Sequence, residues 1–201
     1  MSTTSTSNLY EIGNRKFFAA SINANGTFGA KEYHEGLMEV QIEFESEITD
    51  LSADDDPSFV RLSSPLMGEG TVKLAVLPFA IYSKFFDTEI DANGAVVIKS
   101  TARPKEVAFG FYSSVGDGSE SMFTLYRAVF QLPALASISF DGTAIRDLTL
   151  NVKIYPYRYT TAANGTDTVT YTILNSTLNS AIWARVQNVI YIPDMTVPAA
   201  T

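Results

Sequence analysis

Residues Leu37 to Ile48 read Leu-Met-Glu-Val-Gln-Ile-Glu-Phe-Glu-Ser-Glu-Ile. Met38, Val40, Ile42 and Phe44 alternate with Glu39, Gln41, Glu43 and Glu45, and Glu47 continues the second series. Successive side chains of a β-strand point to opposite faces, so this period of two predicts a strand with one apolar and one acidic face. At ~3.3 Å per residue it would run roughly 35–40 Å, long for a strand. Rows of carboxylates repel one another, so the acidic face must look onto water or onto something it is meant to repel. Taken alone, the segment reads as a solvated sheet face more readily than as a surface that repels an anion.

Composition narrows the choice. A chain of 201 residues, 46% hydrophobic with 13 Phe and 10 Tyr, is long enough for one domain with a sizeable core and is not a disordered protein. No apolar run approaches the ~20 residues of a membrane span, and the opening MSTTSTSN has neither a basic nor an apolar region. The expectation is a chain without export signal or membrane partner, in which the Asn-x-Ser/Thr matches at Asn25, Asn164 and Asn175 are loop asparagines. Zero cysteines exclude disulfides and thiolate metal sites and fit a reducing cytosol. A net charge of −8 argues against adhesive nucleic-acid binding, which needs cationic patches, but suits a surface that nucleic acid slides past.

Along the chain, residues 1–8 read as a flexible Ser/Thr-rich arm, 9–160 as a β domain, and 161–201 as an extension packed on it. Leu9 to Ile22 favours β structure, with a turn signal at Gly13-Asn14; Asn25-Gly26 is a second turn, and Gly29 to Gly36 reads as a loop. Asp50 to Gly70, with Asp54-Asp55-Asp56-Pro57, reads as a long polar loop between strands. Gly70 to Leu77 alternates again. Pro78 then opens a stretch with Phe79, Tyr82, Phe85 and Phe86 at helical spacing, which predicts a short helix with an aromatic face. Strand pairs are expected for Lys105–Ser113 with Glu120–Leu132, and for Ala136–Phe140 with Ile145–Tyr157. In the last of these, Leu148, Leu150, Val152 and Ile154 alternate with Thr149, Asn151 and Lys153. Val169–Leu174, a helix-like Thr177–Arg185 bearing Trp183, and Val189–Ile192 complete the order. The sum is a mainly β, antiparallel sandwich or barrel with one short flanking helix and a long inter-strand loop.

Chemistry is sparse. His34 is the only histidine, so multi-histidine metal sites are impossible, and no nucleophile elbow accompanies it. Asp91-Ala-Asn-Gly94 resembles the start of a calcium loop, but Ser100 stands where a bidentate Glu is needed, so it reads as a hairpin turn. Asp54, Asp55 and Asp56 keep a loop soluble more readily than they hold an ion. No phosphate-binding or dinucleotide motif is present, and no cofactor, metal or catalytic residue is expected. A pair of glycosidase carboxylates stays open, because such pairing is spatial.

The order of pieces resembles the phage major tail proteins, the tail-tube subunits of long non-contractile tails. The resemblance covers about Leu37 to Tyr159. It rests on the acidic-apolar strand followed by Leu51-Ser-Ala-Asp54-Asp55-Asp56, and on Gly68-Glu-Gly70-Thr-Val-Lys-Leu-Ala-Val-Leu-Pro78 meeting the aromatic helix. Asp91-Ala-Asn-Gly94, Val107-Ala-Phe-Gly110-Phe, Phe123 to Pro133 and Leu148 to Tyr155 follow in order. What the resemblance implies is a tail-tube β-sandwich assembled as hexameric rings that stack into a tube, in the virion tail after assembly in the host cytoplasm. The implied partners are further copies of the chain, a tape measure protein and tail terminator or tip proteins, with double-stranded DNA passing through without specific binding. Glu39, Gln41, Glu43, Glu45 and Glu47 would face the lumen, with Thr149, Asn151 and Lys153 beside them. Asp54, Asp55, Asp56, Phe59 and Arg61 would belong to a loop bridging rings. Two alternatives stand beside this: a tube protein of a contractile tail or secretion system, and a carbohydrate-binding or carbohydrate-cleaving sandwich using Tyr155, Tyr157, Tyr159 and Trp183 as a sugar platform.

Overall fold

The computed structural model describes residues 11–46, 48–53, 56–75, 79–93, 95–98, 101–132, 148–160 and 165–193. In chain order these form β1 (Glu11–Ser21), β2 (Glu32–His34), β3 (Leu37–Glu45), β4 (Ile48–Ala53), β5 (Asp56–Ser63), β6 (Met67–Leu74), α1 (Phe79–Phe85), β7 (Thr88–Ile90) and β8 (Val96–Ile98). They continue as β9 (Glu106–Val115), β10 (Glu120–Phe130), β11 (Leu148–Ile154), β12 (Tyr157–Thr160), β13 (Thr166–Val169), β14 (Tyr171–Asn175) and α2 (Ser180–Trp183). The architecture is mainly β and antiparallel, as the alternating segments predict.

One eight-stranded sheet organises the molecule in the order β2-β1-β9-β10-β11-β6-β3, with β14 added against β10. β10 divides its pairing: Ser121–Leu125 bonds to β14, and Ala128–Phe130 to β11. β3 comes back against β1, so the sheet curls around its concave face. That face holds Phe17, Leu74, Phe85, Phe109, Phe130, Leu150 and Val152, all essentially without exposure. The Phe85 ring, carried by α1, stacks on Phe130 at 4.2 Å between centroids and 9° between planes. Each fully buried side chain of this size contributes roughly 1.5–3 kcal/mol. The aromatic spacing after Pro78 thus does what it implied, plugging the core from one helix.

The convex face carries a second core over half its width. Phe18, Ala20, Ala108, Tyr112, Met122 and Tyr126, with Leu174 of β14 beside Met122, are covered there by Trp183, Val186 and Ile190 of the C-terminal segment. Lys31 is sealed beneath this cover. Its Nζ donates to the Val186 carbonyl at 2.8 Å, lies 3.2 Å from the Met122 sulfur and sits 4.2 Å from the Phe18 ring centroid. Burial, with Lys16 nearby, lowers its pKa from 10.5 to about 7.

Several sequence expectations are corrected. The acidic strand stops at Glu45, and Ile48 opens a separate strand; Glu47 lies outside the described residues. The region expected as a long loop forms the hairpin β4–β5, which pairs with no other described strand. Gly13 marks a bulge instead of a turn. It takes φ of 71°, where a side chain would be strained, and β1 shifts register on either side of Asn14 yet stays one strand along β9. Gly29–Gly36 contains β2, and Val189–Ile192 packs as irregular chain because it covers a sheet face instead of joining an edge. The expected Ala136–Phe140 strand and the residues 1–8 lie outside the described residues.

Candidate functional site: the bare half of the convex face

Beyond the C-terminal cover, the convex face over β3, β6 and β11 is bare among the described residues. Register decides which side chains meet there. Glu39 pairs with Lys73 and Lys73 with Thr149; Gln41 pairs with Thr71 and Thr71 with Asn151; Glu43 pairs with Glu69 and Glu69 with Lys153. Residues directly opposite in an antiparallel pair share a face, so the two polar series predicted from distant segments form one surface. Glu39, Gln41, Glu43, Glu45, Thr149, Asn151 and Lys153 are all exposed. β3 and β6 come this close because Gly70 lacks a side chain: a Cβ there would stand 2.0 Å from the Gln41 carbonyl oxygen.

The surface extends sideways onto β10 and β9, where Val129 pairs with both Lys153 and Glu106. Arg127 reaches Glu106 with two bonds, Nε to Oε2 at 2.8 Å and Nη2 to Oε1 at 2.6 Å, and lies 5.8 Å from the Tyr155 ring. Lys73 Nζ bonds Glu39 at 2.6 Å, and Lys153 Nζ bonds Glu69 at 2.7 Å. These carboxylates raise the pKa values of Lys153 and Arg127, by direct hydrogen bonding first. Across the described part of this face, five carboxylates (Glu39, Glu43, Glu45, Glu69, Glu106) meet three cations (Lys73, Lys153, Arg127). The net of two negative charges belongs to Glu43 and Glu45, which make no ion pair among the described residues. They border a hollow of about 370 Å³ with Ser64, Met67 and Glu69.

The sequence reading missed Glu69, Lys73, Glu106 and Arg127. The alternation Glu69-Gly-Thr-Val-Lys73 marks an outward face, but only the strand order puts it between the other two. Of the residues expected to bridge rings, Asp54 and Asp55 lie outside the described residues, whereas Asp56, Phe59 and Arg61 belong to β5.

Other candidates dissolve into structure. His34 packs on Phe17 at 5.6 Å between centroids, its Nε2 buried without a hydrogen-bond partner among the described residues and its pKa lowered by burial. Asp91 Oδ1 accepts the backbone N–H of Asn93 and Ala95 at 2.9 and 2.8 Å, which is a turn between β7 and β8. Trp183 packs edge-on against Tyr112, and Tyr157 packs on Phe28 at 4.7 Å, so half of the supposed sugar platform belongs to the second core. Among the described residues no group of three or more His, Asp or Glu is arranged to hold a metal ion.

No protein-family model matches the chain, and no curated protein sequence matches it. Among solved structures, it aligns with a chain of the anti-feeding prophage baseplate, determined by cryo-electron microscopy with six-fold symmetrisation. The alignment covers 87% of this chain and 97% of that one, with 10% identity and a TM-score of 0.34.

Proposed function

We propose that the chain is a structural subunit of a phage-type tail, polymerising as stacked hexameric rings into a tube whose channel is lined by the bare half of the convex face. The observation that carries this reading is the division of that face. One half is covered by the chain's own C-terminal segment, while the other, among the described residues, is left polar, continuous across three strands and net negative. A wall of that charge repels phosphates, and within a narrow channel the repulsion acts inside a Debye length of about 8–10 Å. DNA then moves along it without being held.

Assembly has a physical motive in the open edges. β2 and β3 end the main sheet among the described residues, and unpaired strand edges favour pairing with another chain. A closed ring satisfies both edges at once. The hairpin β4–β5 is the segment suited to reach a neighbouring ring, since two strands pairing only with each other are marginally stable until they gain a further partner. The role is structural rather than catalytic, and DNA is a passenger rather than a ligand. Negative-stain electron microscopy of concentrated protein, alone and with tail-tip nuclei, tests the reading. Hollow rings or tubes with six-fold end views support it; a chain that stays monomeric even with nuclei defeats it.

A further inference from the structure

Among the described residues, every cation on the bare face is held by a carboxylate of a neighbouring strand, and the pairing follows from register. Lys73 of β6 meets Glu39 of β3, Lys153 of β11 meets Glu69 of β6, and Arg127 of β10 is clamped by both oxygens of Glu106 of β9. Five strands thus contribute to three cross-strand pairs, and the two carboxylates without an ion pair among the described residues, Glu43 and Glu45, sit together beside Glu69 at one side. Net charge alone is a poor guide to how such a wall treats DNA. A single exposed lysine or arginine can release counterions from the duplex wherever it touches a phosphate, whatever the charge several residues away. Arginine is the more consequential, because its planar fork matches phosphate oxygens as well as it matches a carboxylate.

We propose that Glu39, Glu69 and Glu106 are shielding residues: their task is to occupy Lys73, Lys153 and Arg127 so that the face offers no cation to a passing phosphate backbone. This rests on the DNA-passage reading and divides the acidic residues into two kinds. Glu43 and Glu45 set the repulsive field, whereas the shielding carboxylates remove adhesive points. The cations stay because they relieve repulsion between neighbouring rows of carboxylates on adjacent strands.

The test compares two full-length variants of identical charge change. Glu69→Gln with Glu106→Gln frees Lys153 and Arg127; Glu43→Gln with Glu45→Gln removes the unpaired carboxylates and frees nothing. Exposed pairs contribute little to stability, and circular dichroism and urea unfolding verify that both variants fold. Binding to a fluorescein-labelled 20-base-pair duplex is followed by anisotropy across a salt series. The shielding variant should bind at least about tenfold more tightly than the other, with log K falling against log salt at a slope of about −2, near −0.9 per phosphate contact. Equal binding by the two variants, or none by either, would overturn the proposal. The duplex assay reads the face with or without assembly. Tubes with indifferent variants would refute shielding alone, and the expected DNA binding from a chain that never assembles would refute the tube alone.

Discussion

Lys31 gives the sharpest stability forecast. A lysine amine under the C-terminal cover faces the Phe18 ring, the Met122 sulfur and one carbonyl, with Lys16 as a neighbouring like charge, so the folded state disfavours its proton. Its pKa falls from 10.5 to about 7, which at 1.36 kcal/mol per unit amounts to roughly 5 kcal/mol between low and high pH. The sign follows from proton counting. Between about pH 7 and 10 the unfolded chain binds the proton and the folded chain does not, so stability rises with pH. Of the full amount, about 4 kcal/mol still opposes folding at pH 7 and about 2 kcal/mol at pH 9, a gain of about 2 kcal/mol over the interval. Burial keeps Tyr33, Tyr112 and Tyr126 above the ordinary phenol value, so they do not titrate there. Lys31→Met keeps the length and apolar packing of the stem but leaves the Val186 carbonyl without its donor, at a cost of about 1–2 kcal/mol. The variant should therefore be more stable than wild type by about 2 kcal/mol at pH 7, and near parity by pH 9. Urea unfolding of dilute protein at both pH values measures this. Parallel pH profiles for wild type and variant would refute the assignment of Lys31 as a buried, neutral-leaning amine.

Three further outcomes follow from packing. Gly70→Ala should destabilise the fold by about 3 kcal/mol or more, because the new methyl meets the Gln41 carbonyl and the Ile42 Cα, both backbone atoms that cannot step aside; thermal or urea unfolding reads it. Phe85→Ala should cost about 3–5 kcal/mol by opening a cavity against Phe109 and Phe130, seen in the same assay. Lys73→Met, by contrast, should change stability by no more than about 1 kcal/mol, since its pair with Glu39 is exposed to solvent on both sides.

The sequence carried the two alternating series on β3 and β11 and the aromatic stripe of α1, because a period of two or of three to four is written locally. It could not carry their relation. Glu39 and Thr149 are 110 positions apart, and they share a face only because β6 lies between them in register. The same reason hid Glu69, Lys73, Glu106 and Arg127, which acquire meaning as cross-strand partners and not as a local pattern. Hairpin β4–β5 is hidden in the sequence because Asp54-Asp55-Asp56-Pro57 reads as a loop, whereas Asp56 and Pro57 open a strand that pairs back on Ile48–Ala53. Lys31, within Gly29-Ala-Lys-Glu-Tyr33, has the look of a surface loop residue; its burial depends on a C-terminal segment some 155 positions away. Gly13-Asn14 carries a turn signal that the long pairing of β1 with β9 absorbs as a bulge.

The chain contains no cysteine, so a single introduced thiol reports its own surroundings without interference. Asn151→Cys, at the middle of the bare face, should be labelled by both a small maleimide and a 5-kilodalton polyethylene glycol maleimide while the protein is monomeric. Once tubes have formed, the small reagent should still react and the large one should be excluded, as for a thiol reached only through a narrow channel. Undiminished labelling by the large reagent in intact tubes would place this face on the outside and contradict the proposed lumen; loss of both reactions would bury it in a subunit contact and contradict it equally.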